Sequence, residues 1–176
     1  DLFESFRKFL DVSGRQDVWL YCHTSFPDLG WDIPKLLLKH GLSSKVVFTY
    51  ICNNCNHTFP SFFSDARRKC QGCGTFAAGL ASVQKGASYE YLASIMNLFD
   101  LYIQYANSEG FGLPQVEAAG CGVPVMSIDY SAMSSVVRKL GGIPLTPKTL
   151  YSELETGCDR AVPDNDYTAK KMEEFF

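Results

Sequence analysis

The sequence predicts an α/β fold in which helices cover both faces of a parallel sheet and one small insertion interrupts the pattern. Short apolar runs alternate with helical stretches along most of the chain, as in successive βαβ units. These runs are apolar at consecutive positions, which is typical of strands buried on both faces. Closely spaced cysteines between residues 51 and 74 mark the insertion.

Strands and helices are predicted in alternating order. The expected strands are 18–21, 46–50, 76–83, 101–105 and 123–128. The expected helices are 1–12, 31–40, 88–99, 114–120, 131–140 and, after a stretch of weak pattern, 168–176. Glycine and proline lie mostly where a helix ends and the next strand begins, as expected of residues that terminate helices.

Length, charge and hydropathy limit the classes of protein to consider. The 176 residues, 46% of them hydrophobic, suffice for one core and at most one small module. A net charge of −3 provides no global positive field for nucleic acid or an anionic membrane. No apolar run of about 18 residues occurs, so we expect a soluble cytoplasmic protein. The chain also begins in an amphipathic helix without an initiator Met, which indicates a fragment.

Four of the seven cysteines lie in two C-x2-C pairs that are 14 residues apart. This spacing predicts a zinc ribbon over residues 51–74, with one Zn²⁺ bound by four thiolates. The expected ligands are Cys52, Cys55, Cys70 and Cys73. Such a site leaves no coordination position for water, so its expected role is structural. His57 is not needed as a ligand, and buried free thiols are expected at Cys22 and Cys121.

A glycine-bearing loop, residues 109–113, follows an apolar strand and precedes a helix that Pro114 opens. Its backbone N–H groups and the positive end of the helix dipole favour a bound phosphate. Gly110 and Gly112 allow a ligand to approach the backbone closely. The loop therefore predicts an anion site, although glycines that only form a tight turn produce the same short pattern.

Two carboxylates accompany this loop. Glu109 within it and Glu117, expected in the first helical turn, are eight residues apart. Carboxylates accept hydrogen bonds from sugar hydroxyls, and a phosphate between two such acceptors suits a nucleotide sugar. A glutamate near a helix N-terminus also stabilises the helix without any ligand, and this alternative stays open for Glu117.

Residues 109–125 resemble the E-x7-E signature of retaining GT-B glycosyltransferases of group 1, similar to family 4. Gly120 stands where that signature usually has alanine. The resemblance extends over residues 2–140 outside the cysteine insertion. It implies a Rossmann-like donor-binding domain over residues 1–176, the C-terminal half of a GT-B fold, with the zinc ribbon inserted at 51–74.

The resemblance also implies roles for the loop residues and no donor-site metal. Glu109 would contact the transferred sugar as the catalytic residue, and Glu117 would bind the ribose of the nucleotide. The backbone would bind the sugar and the diphosphate at Gly110, Phe111, Gly112 and Leu113. The chain would thus bind a nucleotide diphosphate sugar and transfer its glycosyl unit to an unknown acceptor, with retention.

Two departures from that family limit these expectations. The family's phosphate-binding Arg and Lys precede the first helix, before this chain starts, and Lys85 is better interpreted as a solvated loop residue. The N-terminal acceptor domain is also absent from the sequence. Because GT-B chemistry occurs between two domains, we expect the isolated fragment to bind its donor without catalysing transfer.

Two alternatives to a transferase remain open. In the first, a non-enzymatic zinc ribbon on an α/β scaffold binds a protein or nucleic acid, through Arg67, Arg68 and Lys69 and nearby phenylalanines. Such a short basic run is more typical of a solvated turn, so nucleic acid is not the expected partner. The second is a nucleotide-sugar epimerase of the same architecture. His23 and Asp28 lie near a strand end and are weaker site candidates, for which structural roles are expected.

Overall fold

The structure, a computed structural model, describes residues 1–27 and 30–176. The chain forms two compact units: Asp1–Ser13 with Leu92–Phe176, and Gly14–Tyr91. We call these the loop unit and the cysteine unit, because the first contains the glycine loop and the second contains the C-x2-C pairs. Asp28 lies outside the described residues. In the described part of the chain, no helix is long and apolar enough to cross a membrane.

Six helices and nine strands are found in the described residues. The helices are α1 (Leu2–Ser13), α2 (Ile33–Lys39), α3 (Tyr89–Met96), α4 (Leu113–Gly120), α5 (Ser131–Lys139) and α6 (Asn165–Phe175). The strands are β1 (Leu20–Cys22), β2 (Val46–Cys52), β3 (Thr58–Phe62), β4 (Ala78–Leu80), β5 (Tyr102–Gln104), β6 (Val125–Ile128), β7 (Ile143–Leu145), β8 (Thr149–Ser152) and β9 (Asp159–Val162). The predicted α/β class, a parallel sheet with helices on both faces, is confirmed.

The loop unit has a parallel sheet of three strands in the order β5-β6-β7. The central strand β6 is buried at all four positions, as predicted for a strand covered on both faces. Ala118 of α4 and Val137 of α5 pack with Val123 and Val125 in one apolar cluster. This packing holds the N-terminus of α4 at the carboxyl end of β5, where ligands bind in parallel sheets.

Helices α1 and α6 pack together in the loop unit. Phe9 of α1 is fully buried, and its ring centre lies 5.8 Å from that of Phe176. Lys8 also forms an ion pair with Asp166 at 2.7 Å. Tyr105, which follows β5, donates to Asn165 Oδ1 at 2.8 Å. The terminal helices therefore support the strand from which the glycine loop emerges.

The cysteine unit is built around β2, which is buried at six of its seven positions. One edge of β2 pairs with β3 over Val47–Ile51, in the antiparallel direction. The other edge pairs first with β1, in the parallel direction, and then with β4, in the antiparallel direction. The strand expected at 76–83 is therefore shorter than predicted and does not extend a parallel sheet. The physical reason is that the insertion returns the chain alongside β2, where antiparallel pairing satisfies the backbone.

Four strands were not predicted. β3 lies within the insertion and has a proline at its centre, which argues against a strand when only the sequence is considered. β7 contains a proline and has only three residues. The β8–β9 hairpin has a first strand that is exposed at every position, so it lacks the apolar run by which the other strands were recognised.

Candidate functional site

The glycine loop connects β5 to α4 in the loop unit. Gly112 is the N-cap residue of α4, with φ 78° and ψ 58°, and no side chain caps the helix. Within the described chain, no acceptor is found for the backbone N–H groups of residues 110–113. Leu113 and Phe111 are also more than half exposed. The loop therefore presents several unpaired amide donors at the positive end of a helix, as anion sites do.

Buried glutamines form the floor beneath Gly112. A Cβ atom at Gly112 would lie 2.7 Å from Gln115 Nε2 and 3.9 Å from Gln104 Cδ. Gln115 is fully buried, and its Nε2 donates to the carbonyl of Phe111 at 3.2 Å. Both the left-handed backbone and the close approach of Gln115 therefore require glycine at position 112.

Glu109 is held at its backbone and at its side chain. Gln104 Nε2 donates to Glu109 Oε1 at 3.1 Å. Ser131 Oγ accepts from the Glu109 N–H at 3.1 Å and donates to the Glu109 carbonyl at 3.2 Å. Ser131 begins α5 with a positive φ of 49°. Sequence reasoning found Glu109 but missed Gln104 and Ser131, since neither belongs to the glycine motif.

Glu117 is exposed and is the fifth residue of α4, so its predicted place in the first helical turn was wrong. The free N–H groups of a helix lie in its first turn, and α4 has no acidic residue there. Burial raises the pKa of Tyr102, and the charges of Glu109 and Glu117 raise it further. The Glu109 carboxylate is connected to the Tyr102 hydroxyl through the side-chain amide of Gln104.

The four paired cysteines converge in the cysteine unit. Their Sγ atoms all lie within 4.8 Å of one another. The Sγ atoms are 3.6 Å apart between Cys52 and Cys73 and also 3.6 Å apart between Cys55 and Cys70. The arrangement is a candidate metal centre built from these four thiols alone. His57 is outside it, and its ring packs against Gly72 and Phe59.

The two C-x2-C turns have matching backbone conformations. In each, the residue after the second cysteine has a positive φ, 57° at Asn56 and 74° at Gly74. Its N–H donates at 3.0 Å to the carbonyl of the first cysteine of the pair. The Sγ atom of the first cysteine also accepts a hydrogen bond from a backbone N–H. Cys52 Sγ accepts from Asn54 at 3.4 Å, and Cys70 Sγ accepts from Gly72 at 3.3 Å. Hydrogen bonds of this kind orient thiolate ligands.

Lys85 contacts the first cysteine turn, and its interpretation as a solvated loop lysine was wrong. Its Nζ donates to the carbonyl of Cys52 at 2.9 Å and to Asn53 Oδ1 at 3.2 Å. The turn that carries it is closed by reciprocal hydrogen bonds between Ser82 and Lys85, both 3.1 Å. Lys85 therefore holds the first cysteine turn to the turn that follows β4.

Other candidates from the sequence have structural partners. Arg68 donates to the carbonyls of Phe62 and Phe63, so it holds the insertion together. His23 Nδ1 lies 2.9 Å from Thr49 Oγ1, and burial lowers the pKa of His23. Burial raises the pKa of the Cys22 thiol to about 12, which keeps this free cysteine protonated.

Replacing Gly112 with alanine is expected to lower the free energy of unfolding by about 1–3 kcal/mol, because alanine is strained at positive φ. The new Cβ would also displace Gln115. Gly110→Ala is the matched control, since its Cβ meets nothing within 4 Å, and its stability should change by less than about 0.5 kcal/mol. Urea unfolding of both variants tests this difference, and equal midpoints would contradict it.

The comparisons with known proteins concern the loop unit more than the cysteine unit. The family described as glycosyl transferases group 1 matches residues 81–174, slightly more than half of the chain. This segment contains the glycine loop, Glu109, Glu117 and Gln104, whereas the four paired cysteines lie outside it. No curated protein and no solved structure matches the chain. The chain belongs to the glycosyl transferases group 1 family.

Proposed function

We propose that the chain binds a nucleotide diphosphate sugar as the donor half of a retaining GT-B glycosyltransferase. The observation that carries this proposal is the row of unpaired amides at residues 110–113, with a carboxylate on either side. Membership of the glycosyl transferases group 1 family supports the reaction class. The proposal assigns binding of the acceptor to an N-terminal GT-B domain.

The diphosphate is assigned to the amides of Gly110 to Leu113. A glycosyl transfer breaks the bond between the anomeric carbon and the diphosphate oxygen, so negative charge increases on the leaving group. Amide donors and a helix N-terminus stabilise such charge without moving during the reaction. The proposal therefore includes no metal at the donor site.

The two glutamates are assigned different parts of the donor. Glu109, held by Gln104 and Ser131, accepts from hydroxyl groups of the transferred sugar. Glu117, exposed on the second turn of α4, accepts from the ribose hydroxyls. Two carboxylate acceptors beside an anion site fit a ligand with hydroxyl groups on both sides of a phosphate.

We further propose that Cys52, Cys55, Cys70 and Cys73 bind one structural Zn²⁺. With Zn–S bonds of about 2.3 Å, tetrahedral geometry requires about 3.8 Å between sulfur atoms. The two 3.6 Å separations are close to this value, and the backbone N–H groups directed at Sγ support thiolate ligands. All four positions are filled by protein, so the ion stabilises the fold of the insertion and has no catalytic part.

The binding-module alternative is less well supported. Arg68 is committed to backbone carbonyls within the insertion, which leaves Arg67 and Lys69 as the exposed cations of the basic run. Two neighbouring exposed cations are common on solvated turns. A scaffold without a ligand does not need two glutamates beside unpaired amide groups.

Purified, freshly reduced protein is expected to contain about one zinc per chain, because the four thiolates form a closed tetrahedral site. Cys73→Ser should remove most of this zinc. Cys158→Ser is the matched control, since Cys158 is also exposed but lies outside the cluster, and it should retain the ion. Elemental analysis measures all three proteins. Wild-type protein without stoichiometric metal would contradict the proposed zinc site.

Glu117→Gln is expected to lower the affinity for nucleoside diphosphates and for nucleotide sugars alike, because both contain ribose. Glu109→Gln should weaken only the nucleotide sugars, since a free nucleoside diphosphate lacks the transferred sugar. Each loss should be about 1–3 kcal/mol, as for a charge-assisted hydrogen bond. Calorimetric titration with UDP, ADP and GDP, and with UDP-glucose, ADP-glucose and GDP-mannose, measures the difference.

The control for these variants is Glu173→Gln, at an exposed position of α6, which should bind every ligand as the wild type does. Circular dichroism of the three variants should match that of the wild type, because the substitutions are nearly isosteric. If Glu109→Gln and Glu117→Gln both bind both classes of ligand with wild-type affinity, the assignment of Glu109 and Glu117 is wrong.

A further inference from the structure

A chain of hydrogen bonds connects the interior of β5 to the Glu109 carboxylate. The Tyr102 hydroxyl donates to Gln104 Oε1 at 2.7 Å, and Gln104 Nε2 donates to Glu109 Oε1 at 3.1 Å. Gln104 is only 7% exposed. The orientation of its amide is determined by its partners, because an ionised carboxylate only accepts hydrogen bonds and must face Nε2.

The chain follows from the geometry of a strand. Tyr102 and Gln104 are two residues apart on β5, so their side chains leave the same face of the sheet. A buried amide is costly unless both its oxygen and its nitrogen are paired. The amide oxygen of Gln104 accepts from Tyr102, and its nitrogen donates to Glu109. The conformation of the Glu109 side chain is therefore linked to a buried strand rather than to the exposed loop alone.

The same amide also borders the glycine loop. Gln104 Cδ is 3.9 Å from the place of a Cβ atom on Gly112. One buried side chain thus contacts the carboxylate and also borders Gly112, which lies within the row of unpaired amides. Ser131 holds the backbone of Glu109 independently. Within the described residues, Glu109 Oε2 has no hydrogen-bond partner and is the oxygen that remains for a ligand.

We propose that Gln104, supported by Tyr102, is a positioning residue that presents Glu109 to the transferred sugar. This inference rests on the proposed donor function. Gln104 occupies one carboxylate oxygen and directs the other toward the ligand, so the side chain is already ordered before the donor binds. Ordering in advance lowers the entropic cost of binding. Gln104 therefore acts on recognition of the sugar and leaves recognition of the nucleotide unchanged.

The first test separates these two parts of recognition. Gln104→Leu keeps a similar volume and removes both hydrogen bonds. It should lower about tenfold the affinity for whichever of UDP-glucose, ADP-glucose and GDP-mannose the wild type binds most tightly. The affinity for the matching nucleoside diphosphate should stay at the wild-type value. Tyr102→Phe should produce a smaller loss of the same kind. Equal weakening of both ligands would show a structural role only and would overturn the proposal.

A double-mutant cycle tests whether Gln104 acts through Glu109. Once Glu109→Gln has removed the carboxylate, adding Gln104→Leu should cause little further loss of nucleotide-sugar affinity. Additive losses would mean that Gln104 acts independently of Glu109, and would overturn the inference. Gln104→Glu places two carboxylates together and should weaken the nucleotide sugar more than Gln104→Leu does.

A ligand-free measurement distinguishes failure of this inference from failure of the proposed function. In nuclear magnetic resonance spectra, the side-chain amide protons of Gln104 should exchange slowly with water, and faster in Glu109→Ala. Unchanged exchange in Glu109→Ala would overturn the contact itself. If the amide responds as expected but none of the six ligands binds the wild type, the contact exists and the donor function is contradicted instead.

Discussion

The amide groups at the N-terminus of α4 are the feature on which the rest of the site depends. Helices usually begin with a Ser, Thr, Asp or Asn side chain that pairs one of these donors. Here the N-cap is Gly112, and no side chain takes that place. The donors stay available for a ligand, and the left-handed glycine permits Gln115 to pack directly below them. The anion binding proposed at this position thus depends on the absence of an ordinary cap.

The two carboxylates differ in how firmly the protein holds them. Glu109 is bound through its backbone by Ser131 and through its side chain by Gln104. Glu117 projects from the second turn of α4 and is exposed. A firmly held acceptor suits discrimination among sugars, whose hydroxyl groups differ in direction. An exposed acceptor suits ribose, which is common to all nucleotide donors.

The cysteine insertion is structurally continuous with the sheet of its own unit. Cys52 is the last residue of β2 and also the first ligand of the candidate metal centre. Lys85 bonds to the carbonyl of that same cysteine, so one residue connects a buried strand, the thiol cluster and a following turn. The proposed zinc ion would therefore stabilise the end of β2 as well as the two cysteine turns.

The sequence by itself determined the α/β class, five of the nine strands, the glycine loop and the four clustered cysteines. These features depend on local periodicity or on short spacings, which neighbouring residues specify. Only the tertiary structure decided that β4 pairs antiparallel to β2, that Lys85 bonds to Cys52, and that Gln104 and Ser131 hold Glu109. Ser131 and Glu109 are 22 residues apart, and Lys85 and Cys52 are 33 apart. Such contacts depend on how strands and helices pack, and no local pattern of residues encodes them.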